Sequence, residues 1–190
     1  MRNISDWNYD EMKKSKFSLK YLLTPDHMFE RYSDITPEFL QMLGVRALLI
    51  DIDNTLAPYE VAEPDDSIRA WFDALSDAGI KASLISNNGA ERVELFNRSL
   101  GLDAYPNSKK PSGKILLFAM NKMESDAADT AVIGDQLLTD ALAAHRLGLR
   151  AIIVPPIKDK KSLFFKFKRW VERPYIKRYK KLHSKGDNKC

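Results

Sequence analysis

Two rhythms of apolar positions alternate along the chain. Ile68, Trp71, Phe72 and Leu75 repeat at helical spacing and stop at Gly79, and Ile80-Lys81-Ala82-Ser83-Leu84-Ile85 follows as a strand. The unit recurs. Val93, Leu95, Phe96 and Leu100 form a helix ended by Gly101, then Asp103-Ala104-Tyr105 a short strand. Ile115, Leu116, Phe118, Ala119 and Met123 form the next helix, then Thr130-Ala131-Val132-Ile133 a strand closed by Gly134. Leu138 to Leu147 is a helix stopped by Gly148, and Ala151-Ile152-Ile153-Val154 is the last strand, ended by Pro155-Pro156. Upstream, Thr36 as N-cap, Pro37 at the first helical position and Gly44 as the stop bracket a short helix carrying Phe39, Leu40 and Leu43. Val45-Arg46-Ala47-Leu48-Leu49-Ile50 is near-continuously apolar, the pattern of a strand buried on both faces, and it ends at Asp51. Strands alternating with helices predict right-handed crossovers and a parallel sheet covered on both sides. The fold class is therefore α/β, a doubly wound parallel sheet over residues 36–157. Residues 1–35 read as an N-terminal extension, with four lysines between Met12 and Lys20 and an extended Leu22-Leu23-Thr24 ahead of Pro25.

Composition narrows the class. With 190 residues, 44% of them hydrophobic, the chain can bury one ordinary core, and collagen-like, disulfide-scaffold and disordered classes are excluded. The one cysteine, Cys190, allows neither an intrachain disulfide nor a cysteine metal cluster, which fits a reducing compartment. No apolar run approaches the ~20 residues needed to cross a bilayer, and Met1-Arg2-Asn3-Ile4-Ser5-Asp6 lacks a signal peptide's apolar stretch. A cytoplasmic protein, soluble or peripheral at the inner face of the membrane, is the expectation. The net charge of +4 hides a division: residues 158–190 hold 13 Lys and Arg against three acids, and the rest of the chain is net negative. An acidic body carrying a basic tail suggests chemistry in the body and attraction to an anion through the tail.

Ligands of such sheets bind at the carboxyl ends of the strands. The chain places Asp51-Ile52-Asp53-Asn54-Thr55 after the first core strand and Ser86-Asn87-Asn88-Gly89 after the second. It places Asn107-Ser108-Lys109-Lys110-Pro111 after the third and Gly134-Asp135-Gln136-Leu137-Leu138-Thr139-Asp140 after the fourth. A strand-terminal Asp can simply cap a helix, and Asn-Asn-Gly can simply build a turn. Four coinciding strand ends, each with residues that suit phosphate and a metal, point to a site instead. Asp51 and Asp53, two apart on an extended chain, leave on the same side. Carboxylates so placed repel unless a cation lies between them, and Mg²⁺ with one or two carboxylates and a phosphate oxygen answers that need. Asp51 is then the candidate nucleophile and Asp53 the general acid and base. Ser86 and Asn87 would bind the phosphoryl oxygens, Lys110 would neutralise developing charge, and Asp135, with Asp140 as a further candidate, would complete the Mg²⁺ shell.

These residues carry a resemblance. Asp51-Ile-Asp-Asn-Thr-Leu resembles the first motif (DxDxT) of the haloacid dehalogenase-like (HAD) phosphatases, Ser86 the second, Lys110 before Pro111 the third, and the stretch from Gly134-Asp135 to Asp140 the fourth. The resemblance implies a Rossmann-like core, Mg²⁺, an aspartyl-phosphate on Asp51, and contact of Asp53 with the metal through its main-chain carbonyl. It gives Thr55 the part of holding the Asp53 loop on the substrate side of the site, and leaves Lys109 as the neighbour that could exchange places with Lys110. Eleven residues from Ala57 to Ser67 and 23 between Ser86 and Lys110 leave no room for the cap domains that other members insert. A capless site is open, which suits a bulky substrate or closure by a second copy in a homo-oligomer. Tyr21-Leu22-Leu23-Thr24-Pro25 and the run from Gly44 into Asp51 further resemble the YqeG family of small capless phosphatases, related to mitochondrial phosphatidylglycerophosphate phosphatases. The resemblance implies hydrolysis of phosphatidylglycerophosphate to phosphatidylglycerol. A phosphatase for a soluble sugar or nucleotide phosphate, and a non-enzymatic RNA-binding scaffold, are the alternatives.

The tail bears on that choice. Phe167, Trp170 and Val171 share a helical face, Tyr175 and Tyr179 continue it past an expected break at Pro174, and lysines and arginines interleave throughout. Basic residues among large aromatics suit a membrane-surface helix, each Lys or Arg contributing about 1 kcal/mol near an anionic leaflet. The same composition suits RNA, and a last helix packed on the domain, with its lysines solvated, needs neither. His27, His145 and His183 show no ligand spacing and read as surface or packing residues.

Overall fold

The computed structural model of the protein describes residues 18–158 and 163–183. The central strand β2 (Ala47–Ile50) is buried along its whole length, as its unbroken apolar run requires. It pairs in parallel with β3 (Lys81–Ile85) on one side and with β5 (Thr130–Gly134) on the other. Beyond β3 lies β4 (Asp103–Tyr105), and beyond β5 lie β6 (Arg150–Ile153) and the edge strand β1 (His27–Met28). All five pairings of the six-stranded sheet are parallel. The chain runs outward from β2 through β3 to β4 and then crosses back to β5, so the reversal of direction falls between β2 and β5. That is where a parallel sheet opens a crevice at its carboxyl ends.

Helices cover both faces. Alternation along β2 sends Leu48 and Ile50 into one cluster with Trp71, Phe72, Leu75 and Phe96, and Ala47 and Leu49 into another with Leu116, Ala119 and Met120. The first cluster rests under α3 (Asp66–Asp77) and α4 (Ala90–Asn97), the second under α5 (Lys114–Met123). Helix α3 shows the local logic. Asp65 caps it by accepting from the Ile68 amide at 2.9 Å, its buried residues follow the 3.6 period, and Trp71 Nε1 donates to the Ile35 carbonyl at 2.9 Å.

Three segments differ from the sequence reading. Leu22 and Leu23 do not run extended into Pro25: Leu19–Leu22 is a short helix, α1, capped by Ser18. Beyond Pro25, residues 27 and 28 add the edge strand β1, and Leu22, Leu23, Tyr32 and Ile35 are buried, so residues 18–35 are built into the sheet and core. A strand of two residues carries no period-2 signature, which is why it escapes a pattern search. The helix α2 (Pro37–Met42) keeps its predicted cap, Thr36 accepting from the Phe39 amide. The helix expected from Leu138 begins earlier and differently, as a π-helical turn over Leu137–Ala141 that leads into α6 (Leu142–Arg146). Last, α7 (Leu163–His183) runs through Pro174 as one helix instead of breaking there. The lysines before residue 18 lie outside the described residues. Among the described residues no helix is long and apolar enough to cross a membrane.

His145, on α6, is a packing residue with a titration. Its ring faces two acceptors, the Leu22 carbonyl and Asp26 Oδ2, both at 2.9 Å, an arrangement that favours the cationic ring, whose two nitrogens both donate. Burial pulls its pKa down, but the Asp26 hydrogen bond, the Leu22 carbonyl and the Asp26 charge together leave it above the ordinary 6.5. Asp26 is pushed up by burial, and more strongly down by His145 and the Ala151 amide, so it sits below its ordinary 3.8. Tyr21, whose ring lies 5.1 Å from that of His145, and His27 share the neighbourhood. A raised His contributes stability in full below its unfolded pKa and loses it as pH rises through the folded one; a depressed Asp does so above its unfolded value. The clamp therefore contributes most between about pH 4 and 6.5 and fades above. In urea titrations at pH 5.5 and 9, the stability difference should shrink in His145→Gln; an equal difference in both proteins contradicts the clamp.

Candidate active site

Asp51 follows β2, and its amide still donates to Ile133 of β5 at 2.9 Å, so the sheet's central ladder carries its backbone. The chain then turns through Asn54, at φ +66°, which donates to the Ala57 carbonyl at 2.7 Å. This tight turn brings the Thr55 hydroxyl back to Asp51 Oδ2 at 3.3 Å. From the next strand end, Asn87 is used up in building a loop: its Oδ1 accepts from Ser108 Oγ at 2.9 Å and the Lys110 amide at 2.7 Å, and its Nδ2 donates to the Lys110 carbonyl at 3.1 Å. That loop delivers Lys110. Its ammonium donates to Asp51 Oδ1 at 2.6 Å and the Ile85 carbonyl at 2.9 Å, and lies 2.7 Å from Asp140 Oδ1.

Asp135 follows β5, and the π-helical turn returns Asp140 to it. Asp140 Oδ2 accepts from the Gln136 amide at 3.1 Å and from Thr139 Oγ1 at 3.2 Å. The side chain lies over Gly134, where a Cβ would come 2.3 Å from Asp140 Cγ, so only glycine fits the end of β5. One carboxylate oxygen from each of Asp51, Asp135 and Asp140 then lies within 4.8 Å of the others, all three residues buried. A polar cavity of about 160 Å³ opens beside them, lined in part by Asp51, Asp53, Ser86, Asn87, Lys110 and Lys168.

The charges do not balance. Three buried carboxylates meet two cations, Lys110 and Arg169. Burial pushes Asp51 up to about 8, Lys110 drawing it down and Asp140 and Asp135 raising it further. Burial and the Asp140 charge put Asp135 at about 6 against the pull of Arg169 and Gln136. Burial pulls Lys110 down, but the Asp140 and Asp51 charges outweigh it and raise the ammonium's pKa. A site made of hard oxygen donors and short of positive charge has the chemistry that a divalent cation fits.

The amino-acid sequence is 36% identical over 163 residues to the probable phosphatase YqeG of Bacillus subtilis, covering 86% of this chain and 95% of that one. This chain belongs to the HAD-type phosphatases of the YqeG family. As a member it is a phosphoric monoester hydrolase with the Rossmann-like HAD sheet. Residues 108–161 match the HAD-hydrolase-like family profile, a stretch that includes Lys110, Asp135 and Asp140. The chain is also 30% identical over 118 residues to the mitochondrial phosphatidylglycerophosphatase GEP4 of Saccharomyces cerevisiae, over 55% of this chain and 64% of that one. Among solved structures, an uncharacterized protein from Listeria monocytogenes serotype 4b aligns with TM-score 0.49 and 17% identity, over 62% of this chain and 85% of that one.

Within this HAD phosphatase some candidate residues stand elsewhere than expected. The Asp53 carboxylate lines the same cavity as Asp51 but outside the three-carboxylate cluster. It is held by the side-chain Nδ2 of Asn88, by Arg92 Nε at 3.1 Å and by Ser86 Oγ at 3.5 Å. Thr55, expected beside the substrate, is buried and spends its hydroxyl on Asp51. Asn87 shapes the Lys110 loop, as described. Lys110 is buried on Asp51 and Asp140, whereas Lys109 is exposed, so the choice between them falls on Lys110. Asp140 belongs to the cluster. The sequence reading missed Asn88, Arg92, Lys168, Arg169 and Glu172. Arg92 gave no signal, since a first-turn arginine on an amphipathic helix looks solvated. Glu172 did give one: it is the lone acid between Asp159 and Asp187 in a basic stretch, and it is fully buried against Arg169.

Proposed function

We propose that this phosphatase is Mg²⁺-dependent, works through an aspartyl-phosphate on Asp51, and acts on an anionic lipid phosphomonoester of the phosphatidylglycerophosphate kind. The observation that carries the reading is the convergence of Asp51, Asp135 and Asp140 at the carboxyl ends of β2 and β5, with Lys110 between Asp51 and Asp140. Asp51, Asp135 and Asp140 would hold Mg²⁺, which supplies Lewis-acid polarisation of a phosphoryl oxygen and offsets the charge repulsion between the phosphate and Asp51. Asp51 attacks phosphorus and the alcohol leaves, Asp53 giving its proton to the departing oxygen. Asp53 then takes a proton from water as that water cleaves the acyl phosphate, which restores Asp51. Asn88 and Arg92 hold the Asp53 carboxylate in place for both halves. Ser86 and Lys110 line the cavity in which the phosphoryl group would sit, and Lys168 adds a cation to its wall.

Two features support a lipid. No cap lies over the site in the described residues, and α7 turns Phe167 and Trp170 outward, 58% and 65% exposed, with their rings stacked at 6.1 Å. Exposed Lys166, Lys177, Arg178, Lys180 and Lys181 flank them. That surface suits peripheral contact with an anionic leaflet, while the inner side of the same helix packs on the domain. Phosphate release should be measured with Mg²⁺ for phosphatidylglycerophosphate in anionic vesicles and for sugar and nucleotide phosphates. The lipid should give the highest kcat/KM. A soluble ester turning over faster overturns the lipid assignment and leaves the phosphatase intact.

A further inference from the structure

We infer that Arg169, carried on α7 and anchored by Glu172, is a positioning residue for Asp135. It fixes the orientation from which that carboxylate binds a divalent cation beside Asp51 and Asp140. The inference rests on the reading above that these three aspartates hold a cation, and adds that the C-terminal helix is a working part of the site.

Arg169 grips Asp135 twice. Its Nη2 donates to Asp135 Oδ2 at 2.7 Å and its Nη1 to the Asp135 carbonyl at 2.8 Å. A guanidinium bridging the side chain and main chain of one residue restricts both the rotamer and the peptide that carries it. Nη1 also meets Glu172 Oε2 at 3.0 Å, and Glu172 Oε1 accepts from the Leu138 amide at 3.2 Å. Leu138 lies in the π-helical turn that returns Asp140. One buried glutamate thus ties the arginine to the turn that carries the second ligand. Lys168, the preceding residue, reaches Gln136 Oε1 at 3.2 Å, so two consecutive side chains of α7 fasten the segment after β5.

The energetics favour orientation over simple stability. Glu172 is fully buried, and burial holds its carboxyl above the usual range even against Arg169. Burying such a pair gains little over apolar packing, so a specific geometric return is the better account of it. Carboxylates that bind metals are themselves hydrogen-bonded, and loss of such an outer partner typically weakens metal affinity about 10–100-fold. Arg169 does not line the catalytic cavity, which separates it from Lys110. A competing role, in which Arg169 takes the cation's place and is displaced by it, requires the opposite sign. The contacts with the Asp135 carbonyl and with Glu172 speak against it, because they hold the guanidinium whatever binds the carboxylate.

The test is direct Mn²⁺ binding to the full chain, followed by electron paramagnetic resonance, alongside thermal unfolding. Arg169→Gln should bind Mn²⁺ about 10–100-fold more weakly. Arg169→Lys, which keeps the charge but cannot bridge, should fall between it and the wild type. Glu172→Gln, which preserves volume and can still accept from Leu138, should weaken binding several-fold and serves as the readout if Arg169→Gln does not fold. A folded variant with unchanged Mn²⁺ affinity, or with tighter binding, overturns the positioning role. Absence of Mn²⁺ binding by the wild type would instead overturn the cation-site reading itself, and this inference with it.

Discussion

Replacing Asp51 by Asn should reduce phosphate release from a generic aryl phosphate by at least ~10⁴-fold, the scale seen when the nucleophile of a covalent mechanism is removed. The same change should leave the folded protein as stable as the wild type or more so. Burial holds the Asp51 carboxyl at about 8, far above its ordinary 3.8. An acid raised in the folded state opposes folding at every pH above its unfolded pKa, and more so as pH climbs towards the folded value. Asn keeps the shape and can still meet Lys110, while the ionisation penalty is gone. Loss of turnover with retained or increased stability is the mark of a residue strained by its function, rather than one that supports the fold. Turnover near the wild-type level, in a protein whose unfolding curve is unchanged, would refute the nucleophile assignment. A drop in stability of the kind seen for core residues would remove the claim of strain.

Much of this arrangement is legible in the linear sequence, for a physical reason. A strand buried on both faces must be apolar throughout, so β2 declares itself between Val45 and Ile50, and the carboxylate at its end stands out against that background. The strand ends of a doubly wound sheet converge on one rim, so Asp51, Ser86, Lys110 and Asp135 could be gathered from chain order alone. What was left open or escaped depends on distance through space. Asp140, named only as a further candidate, enters the cluster because Gly134 leaves room beneath it and a π-helical turn adds one residue to the return. Neither is a periodic signal. Asn88 and Arg92 reach Asp53 across the cavity from the next loop and helix. The tail shows the same limit. Basic and aromatic composition describes the outer face of α7, whereas Glu172, Arg169 and Tyr179 define its inner one. Tyr179 meets the Met28 amide at 3.1 Å on the edge strand β1, so two segments outside the expected core are packed against each other.

Lys110→Met should have the second large effect, on stability as well as activity. Lys110 lies between two carboxylates, 2.6 Å from Asp51 and 2.7 Å from Asp140, with all three side chains buried. Methionine nearly preserves length and removes the charge, which leaves two neighbouring anions without their counter-ion. Deleting one partner of a buried pair typically costs about 3–5 kcal/mol, because the remaining charge stays desolvated. In metal-free buffer at pH 8 to 9, a loss of that size should appear in urea unfolding. The loss should shrink as pH falls: without Lys110 to draw it down, the Asp51 carboxyl shifts further up, takes up a proton, and ceases to repel its neighbour. Millimolar Mg²⁺ should recover part of the stability, since a cation bound to the folded state alone stabilises it by mass action and here occupies the charge deficit that methionine created. Turnover should not recover with it. On the proposed mechanism the ammonium meets charge on a phosphoryl group in flight, and a cation held by the three aspartates would not restore the hydrogen bonds that Lys110 donates to Asp51 and the Ile85 carbonyl. A Lys110→Met protein as stable as the wild type without metal, at pH 9, would show that the three-carboxylate cluster needs no counter-charge, and the case for a cation site would lose its electrostatic basis.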